Sequence, residues 1–540
     1  MHDIVSPYNA SPHSELRARI TGMWEQLRRS PLDPASDEKM GNSDCSYLYV
    51  SRREDIEIIR QKVVARREII GANMPVVVDY LPEGWPNGGS KIPDDRHGLI
   101  YLPCDYVVPG GRFNEMYGWD SYWIMRGLIR DGHGGLARGI VENQLYQIEH
   151  FGFVLNGNRS YYRRSHPPFI APMVMEIADT FSDEERREFL ARAANLLSKN
   201  YSKFWKEQRF MPKTGLFRYG QPNHSLYEPS PEVIKGERDD ENQSHYDRLG
   251  VLVTQIRNRT QRNRFHDARN QALRPCVWRA DGASRESGFD PNMHFGKMGL
   301  DTPSYNPVCL NSLLKLHCDI VASICDELGR SSDAGKWKNE SARITDAMQA
   351  KLCGENGIYT SYHMYDKRLS TRPFLTSAYP LFAGIATQDE AKATRDFIFR
   401  HFWTPRGLRA APRDDDTQWS KIWAPLNDIA ARGLRRYGFN GDADTIEAAF
   451  LGTVIEAFDR HGALFEKYDP SAEDSAHIAN VVGGYHTNEK GFGWTNAVAA
   501  DIVDRQPGMA PAPERRRVSA VPYGDGAGGV PLAAFAAPGL

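Results

Sequence analysis

The amino-acid sequence predicts an all-α fold in which the loops between helices carry the chemistry. Three observations predict it. Apolar residues recur at helical spacing, capping signatures stand ahead of such runs, and clean two-residue alternation is scarce. Leu16, Ile20, Trp24 and Leu27 fall on one helix face. Ser182 with Glu185 forms a capping-box signature ahead of Phe189, Ala193, Leu196 and Leu197. In such a pair each side chain satisfies an N–H that the first helical turn leaves unpaired. Thr387 with Glu390 repeats the device ahead of Phe397 and Phe399. Cys309–Leu328 reads as a buried helix stopped by Gly329, and Ile446, Phe450, Val454 and Phe458 recur at every fourth position. No Pro/Gly-rich linker interrupts residues 75–505, which are expected to form one domain behind an N-terminal helical extension, residues 1–74. From Gln506 onward Pro, Ala, Gly and Arg dominate, so residues 506–540 are expected to be a flexible tail. Gly524, Gly526 and Gly529 formally match GxGxxG, but a dinucleotide loop needs a strand before it and a helix after it, and neither is predicted here.

Composition narrows the function classes. The 540 residues carry 67 Lys+Arg against 69 Asp+Glu, a formal charge of −2, which argues against a nucleic-acid partner. Mean hydropathy is −0.55, and no run of about 18 apolar residues is found, so no membrane span is expected. The seven cysteines (Cys45, Cys104, Cys276, Cys309, Cys318, Cys325 and Cys353) form no CxxC, and Cys318 and Cys325 lie one heptad apart on an apolar pattern. Core thiols are the expectation, with no structural or catalytic metal and no cofactor. Met1–Arg19 is polar and lacks the apolar stretch of a secretory signal. A cytoplasmic monomer is expected.

The most unusual composition lies in Pro109–Tyr122, PGGRFNEMYGWDSY, where two glycines precede an Arg and carboxylates alternate with aromatics. Aromatic faces beside Asp and Arg suit a sugar, because rings cover its C–H faces while polar groups grip its hydroxyls. The plainer reading is an aromatic core loop with satisfied charges. Polar-aromatic clusters recur at Asn156–Tyr162, Gln418–Trp419, Trp423 and Gly491–Asn496. Four such clusters in loops read as one carbohydrate pocket assembled from across the chain. Spacing by itself does not pick two catalytic carboxylates out of 69 acidic residues.

These segments together resemble the trehalase family of inverting glycoside hydrolases. PGGRFNEMYGWDSY is close to the family motif PGGRFxExYxWDxY. NGNRSYY followed by PPF matches the next block, and Arg285–Asp290 resembles ESGWD with Phe289 in place of Trp. Phe465–Asp469 matches EKYD, and GFGWTN matches the C-terminal block. The blocks keep the family's order from about residue 100 to 496. The resemblance implies an (α/α)6 toroid with its site in loops at one end. It makes Asp290 the general acid and Glu466 the general base. Asp290 must then hold a proton near neutral pH, through burial or nearby negative charge. Glu466 must stay ionised to activate water on the opposite face of the ring, with the carboxyls roughly 6.5–9.5 Å apart. Substrate-binding residues carried over are Arg112, Phe113, Tyr117, Trp119, Asp120, Asn156, Arg164, Glu232, Gly288, Trp423, Phe492 and Trp494, with His166 where the family has Gln. The implied reaction is hydrolysis of a small α-glucoside, α,α-trehalose first. Another small α-glucoside such as a glucosylglycerate is the alternative, and an inactive sugar-binding protein ranks lower.

Several positions depart from the family. QWDxPNGWAP appears as Gln418–Pro425, two residues shorter, RPE becomes Ser230-Pro231-Glu232, and the glycine-rich GGGEY becomes Gly483–His486 with its Glu lost. Glu489 stands nearby but out of register. A shortened loop at 418–425 is expected to leave the cup more open and to weaken substrate binding, mainly in KM.

Overall fold

Leu16, Ile20, Trp24 and Leu27 all lie buried along the helix Ser14–Leu27, the first of six outer helices. The chain is described from a computed structural model, which covers residues 13–34, 45–220 (without 89, 91, 94–95 and 161–162), 245–478 (without 258 and 416), 481 and 487–505. The other outer helices are Gly134–Phe151, Asp183–Lys199, Ser331–Lys351, Gln388–His401 and Asn440–His461. Between them run six inner helices: Asp120–Arg130, Ile170–Ala178, Val308–Glu327, Tyr379–Phe382, Ala424–Arg436 and Gly493–Arg505. Each inner helix packs on the next, and Gly493–Arg505 packs back on Asp120–Arg130. The ring therefore closes, as an (α/α)6 toroid. Outer and inner helices alternate, so every inner helix starts at the same end of the ring. The loops entering the inner helices gather there.

Local signals explain most helix limits. Thr387 caps its helix through the Glu390 N–H, and Glu390 accepts from the Thr387 N–H at 2.8 Å. Val308–Glu327 ends two residues before Gly329, whose φ of 71° is a left-handed conformation that favours glycine. Ile446, Phe450, Val454 and Phe458 are buried in Asn440–His461, each removing apolar area worth roughly 1.5–3 kcal/mol. Val308–Glu327 is long and apolar enough to cross a membrane, yet it is an inner helix and mostly buried. The Ser182 signature fares differently. The helix starts at Asp183, but the Ser182 hydroxyl makes no cap bond, and the Glu185 carboxylate pairs with Arg138 rather than reaching back.

One element escapes the periodicity reading. Ser46–Val50, Val76–Tyr80 and Leu99–Ile100 form a parallel sheet with Ser46–Val50 in the centre. Residue 74 lies between the helix Ile56–Ile70 and the strand Val76–Tyr80, so the segment ahead of residue 75 is not purely helical. Parallel strands of two to five residues pair across long connections and leave no local alternation to read. A second small core of Leu249, Val253, Phe265, Val277 and Leu300 packs the helix Pro275–Glu286, which leads directly to Asp290. A cavity of about 400 Å³ opens at the other end of the ring, lined by Trp123, Arg126, Glu176 and Asp501 among others. Its charged residues already pair with each other and with Asp428.

Candidate active site

Five of the loops entering inner helices are tied together by aromatic side chains. Trp119, just ahead of the inner helix Asp120–Arg130, stands at the centre. Its ring meets Phe289 at 5.7 Å, His166 at 5.8 Å and Trp494 at 5.9 Å, each edge to face. Phe289 continues to Trp419 at 5.0 Å, Trp419 stacks on Trp423 at 4.5 Å, and Trp423 returns to Trp494 at 5.8 Å. Phe113 contacts Tyr117 and Phe492 on the other flank. Edge-to-face pairs favour one geometry over sliding, so the wall fixes the loops that carry both carboxylates. Gly288, ahead of Phe289, has φ 74°, and a Cβ there would stand 3.2 Å from the Trp119 ring. Trp119, Trp423, Phe492 and Trp494 are themselves buried.

Asp290 follows this wall. Its backbone carbonyl accepts from Gln418 Nε2 at 2.7 Å, and its Oδ2 lies 3.4 Å from Arg285 Nη1. The side chain is 31% exposed. This differs from the expected burial or negative neighbour: the carboxyl is partly exposed, and the charge beside it is positive. Arg285 shares that charge with Asp281 at 2.9 Å.

Glu466 lies in the loop that enters the inner helix Gly493–Arg505 and is buried. Its N–H donates to the Glu489 carbonyl at 2.9 Å, and its carbonyl accepts from Trp494 Nε1 at 3.0 Å. Lys467 Nζ donates to Glu466 Oε2 at 2.9 Å. Asp120 begins its helix buried, and its carboxyl is held well above the usual carboxylate range, first by burial and further by the negative charge of Glu466, against a hydrogen bond from its own N–H.

The polar side of the cup comes from two further loops. Arg112 Nε donates to Glu489 Oε1 at 2.8 Å. A Cβ on Gly111 would fall 1.8 Å from Glu489 Oε2, so this contact requires glycine. Arg164 Nη2 lies 3.4 Å from Asn156 Oδ1, and the Asn156 N–H donates to the Arg164 carbonyl at 2.8 Å. His166 Nδ1 accepts from the Trp119 N–H at 3.1 Å, which leaves Nε2 as the protonated nitrogen. Burial, then the charge of Arg164, hold His166 well below its usual range, so it is neutral.

The segment expected to act as a shortened lid is packed instead. Ile422–Trp423 pairs with Lys467–Tyr468 as a two-residue ladder, and Lys421 Nζ reaches Asp469 Oδ2 at 2.5 Å with both side chains buried. Glu232, Gly483 and Gly484 lie outside the described residues. The sequence reading missed Arg285, Lys421, Asp469 and Lys467 as contributors, and Gln418 as the residue that holds Asp290. Glu489 was legible only as an acid close to the C-terminal block. Among the described residues, no three His, Cys, Asp or Glu side chains cluster as a metal ion would need.

Comparison with known proteins places this geometry. The profile of the trehalase family matches residues 61–506. A periplasmic trehalase of Xanthomonas campestris pv. campestris (strain B100) is 32% identical over 81% of this chain and 76% of its own length. A periplasmic trehalase of Pseudomonas aeruginosa is also 32% identical, over 79% of this chain and 76% of its own. Among solved structures, the neutral trehalase of Saccharomyces cerevisiae matches the fold with a TM-score of 0.72 at 24% identity, covering 93% of this chain and 97% of that one. The cytoplasmic expectation is corrected by the relatives, which are named periplasmic trehalases. Its physical basis was weak. No disulfide joins the seven cysteines, and Cys309, Cys318 and Cys325 are buried in one inner helix, where burial shields the thiols from oxidants, so unpaired thiols do not by themselves mark a compartment. A ring of six helix pairs, two carboxylates held by one aromatic wall, and this match over most of the chain make the protein a member of the trehalase family of glycoside hydrolases.

Proposed function

We propose that this protein hydrolyses α,α-trehalose to two glucose molecules with inversion, using Asp290 as general acid and Glu466 as general base. The observation that carries the reading is the aromatic wall, which joins the Asp290 loop to the Glu466 loop through Phe289, Trp119 and Trp494 and holds both at the open end of the ring. Asp290 gives its proton to the glycosidic oxygen as the C1–O bond breaks. Glu466 takes a proton from the water whose oxygen bonds to C1 from the opposite face. Asp290 ends ionised and Glu466 protonated, and solvent resets both. Because Asp290 is partly exposed, bound sugar must displace water from its carboxyl as it docks. Asp120, Asn156, Arg164, His166 and Arg112 grip the sugar, with His166 Nε2 as a fixed donor. The ring, with Ser14–Leu27 as its first outer helix, is the catalytic unit. It works as a monomer without metal or cofactor.

Proton NMR of fresh product tests the reading. Inversion releases one α- and one β-glucose from each trehalose, and two α-glucose molecules would refute it. Asp290→Asn and Glu466→Gln should each lower kcat by at least about a thousandfold. Substantial turnover by both variants would overturn the assignment, and faster turnover of another α-glucoside would overturn the substrate.

A further inference from the structure

We propose that Lys467 is a positioning residue for the reaction: its buried ammonium holds the Glu466 carboxylate in one orientation and sets an opposite charge beside it. The inference rests on Glu466 being the base. Neighbouring residues of an extended strand point to opposite faces, so side chains at 466 and 467 are not expected to meet. Here the chain changes partners between them. Phe465 bridges to Lys490 and the Glu466 N–H donates to Glu489, whereas Lys467–Tyr468 pairs with Ile422–Trp423. The backbone turns at this exchange, and the two side chains converge, with Nζ to Oε2 at 2.9 Å and side-chain exposures of 0% and 2%.

The rest of the neighbourhood fixes the ammonium. Asn488 clamps the Lys467 backbone on both sides, accepting from its N–H at 3.3 Å and donating to its carbonyl at 2.9 Å. Nζ stands over the Trp423 ring, 5.2 Å from its centre, a cation–π contact. Other titratable groups facing this pair include Asp120 from the inner helix Asp120–Arg130, and the Arg112–Glu489 pair from the two adjoining loops. Arg112 and Glu489 largely cancel. Lys467 therefore sets a positive charge directly against Glu466 in a buried site that also holds the Asp120 carboxyl. Burial pulls the Lys467 ammonium below its usual range, and Glu466 is the largest influence opposing that fall.

The test is the pH dependence of kcat/KM for trehalose in wild type, Lys467→Met, Lys467→Arg and Glu466→Gln. Removing an opposite charge at this distance shifts a titration by about 1–3 units, so the acid limb of Lys467→Met should move to higher pH by that amount. kcat should fall at least about tenfold while KM changes less than about threefold. Lys467→Arg, which keeps the charge, should leave the limb within about 0.5 unit. Lys467→Gln lacks the charge but keeps a hydrogen-bond donor, and serves in place of Lys467→Met if that variant does not fold. An unmoved acid limb in a folded, uncharged variant overturns the proposal, as does an equal shift in Lys467→Arg. If Glu466→Gln stays active, the assignment of the base fails and this proposal with it. An inactive Glu466→Gln beside an unmoved limb in Lys467→Met sinks the role of Lys467 alone.

Discussion

Lowering the pH from 7 to 5 should destabilise this protein through His294, four residues beyond the proposed acid. His294 is buried, with Nδ1 donating to the Arg372 carbonyl at 3.2 Å and Nε2 accepting from Ser361 Oγ at 3.0 Å. Its ring stacks on Phe374 at 4.9 Å, and Phe374 packs against Phe289. Burial pushes the imidazole down to about 4 from 6.5; the bond to the Arg372 carbonyl opposes the fall, and the Arg372 charge adds to it. The unfolded chain takes up this proton near the ordinary value, and the folded chain takes it up only near 4. Between those values the unfolded state holds more protons, so stability falls as pH falls. Integrated from pH 7 to pH 5, the loss from this one residue is about 2 kcal/mol. His317, also lowered to about 4 by burial, adds a similar slope, so the readout must be a difference between proteins. Urea unfolding followed by tryptophan fluorescence at both pH values, on wild type and His294→Gln, supplies it. Glutamine can keep both hydrogen bonds without titrating. The variant should lose about 2 kcal/mol less than wild type across the interval, whatever its stability at pH 7. Equal losses would mean that His294 does not stay neutral in the folded protein, and the reasoning would fail.

Gly288→Ala forces a side chain onto a left-handed backbone 3.2 Å from Trp119 and should cost about 1–3 kcal/mol, with kcat down at least about tenfold because Asp290 lies two residues on. Thermal unfolding and steady-state kinetics check both halves. Lys421→Met leaves the Asp469 carboxylate buried without its ammonium and should destabilise by about 3–5 kcal/mol, read by urea unfolding; a loss below about 1 kcal/mol would show that the pair is not structural. Gly111→Ala drives a Cβ into Glu489 and should break its bond to Arg112, raising KM for trehalose about 10–100-fold while kcat changes little. An unchanged KM would remove Arg112 from the binding site.

The difference between what was legible and what was not follows physical range. The Thr387–Glu390 box is visible in sequence because both partners lie within one helical turn, and it forms. The Ser182–Glu185 box is equally visible, yet it does not form, and its glutamate is taken by a residue 47 positions away, Arg138. The 418–425 segment read as a shortened lid because loop length was all the sequence offered. The ladder to Lys467–Tyr468 and the Lys421–Asp469 pair, which make it part of the wall, join residues more than forty positions apart.

By itself the sequence determined several of the ring's helices, the loops that carry the proposed site and the family to which the chain belongs. Those depend on spacing within a turn and on motif blocks of contiguous residues, all of them local. Only the tertiary structure decided that Asp290 stands partly exposed beside Arg285, that Glu489 holds Arg112, and that adjacent residues Glu466 and Lys467 turn toward each other. Each of these is set where chain segments from different helix pairs meet, because a side chain's charge and burial depend on every neighbour that ring closure brings within a few ångströms, and those neighbours are distant in the sequence.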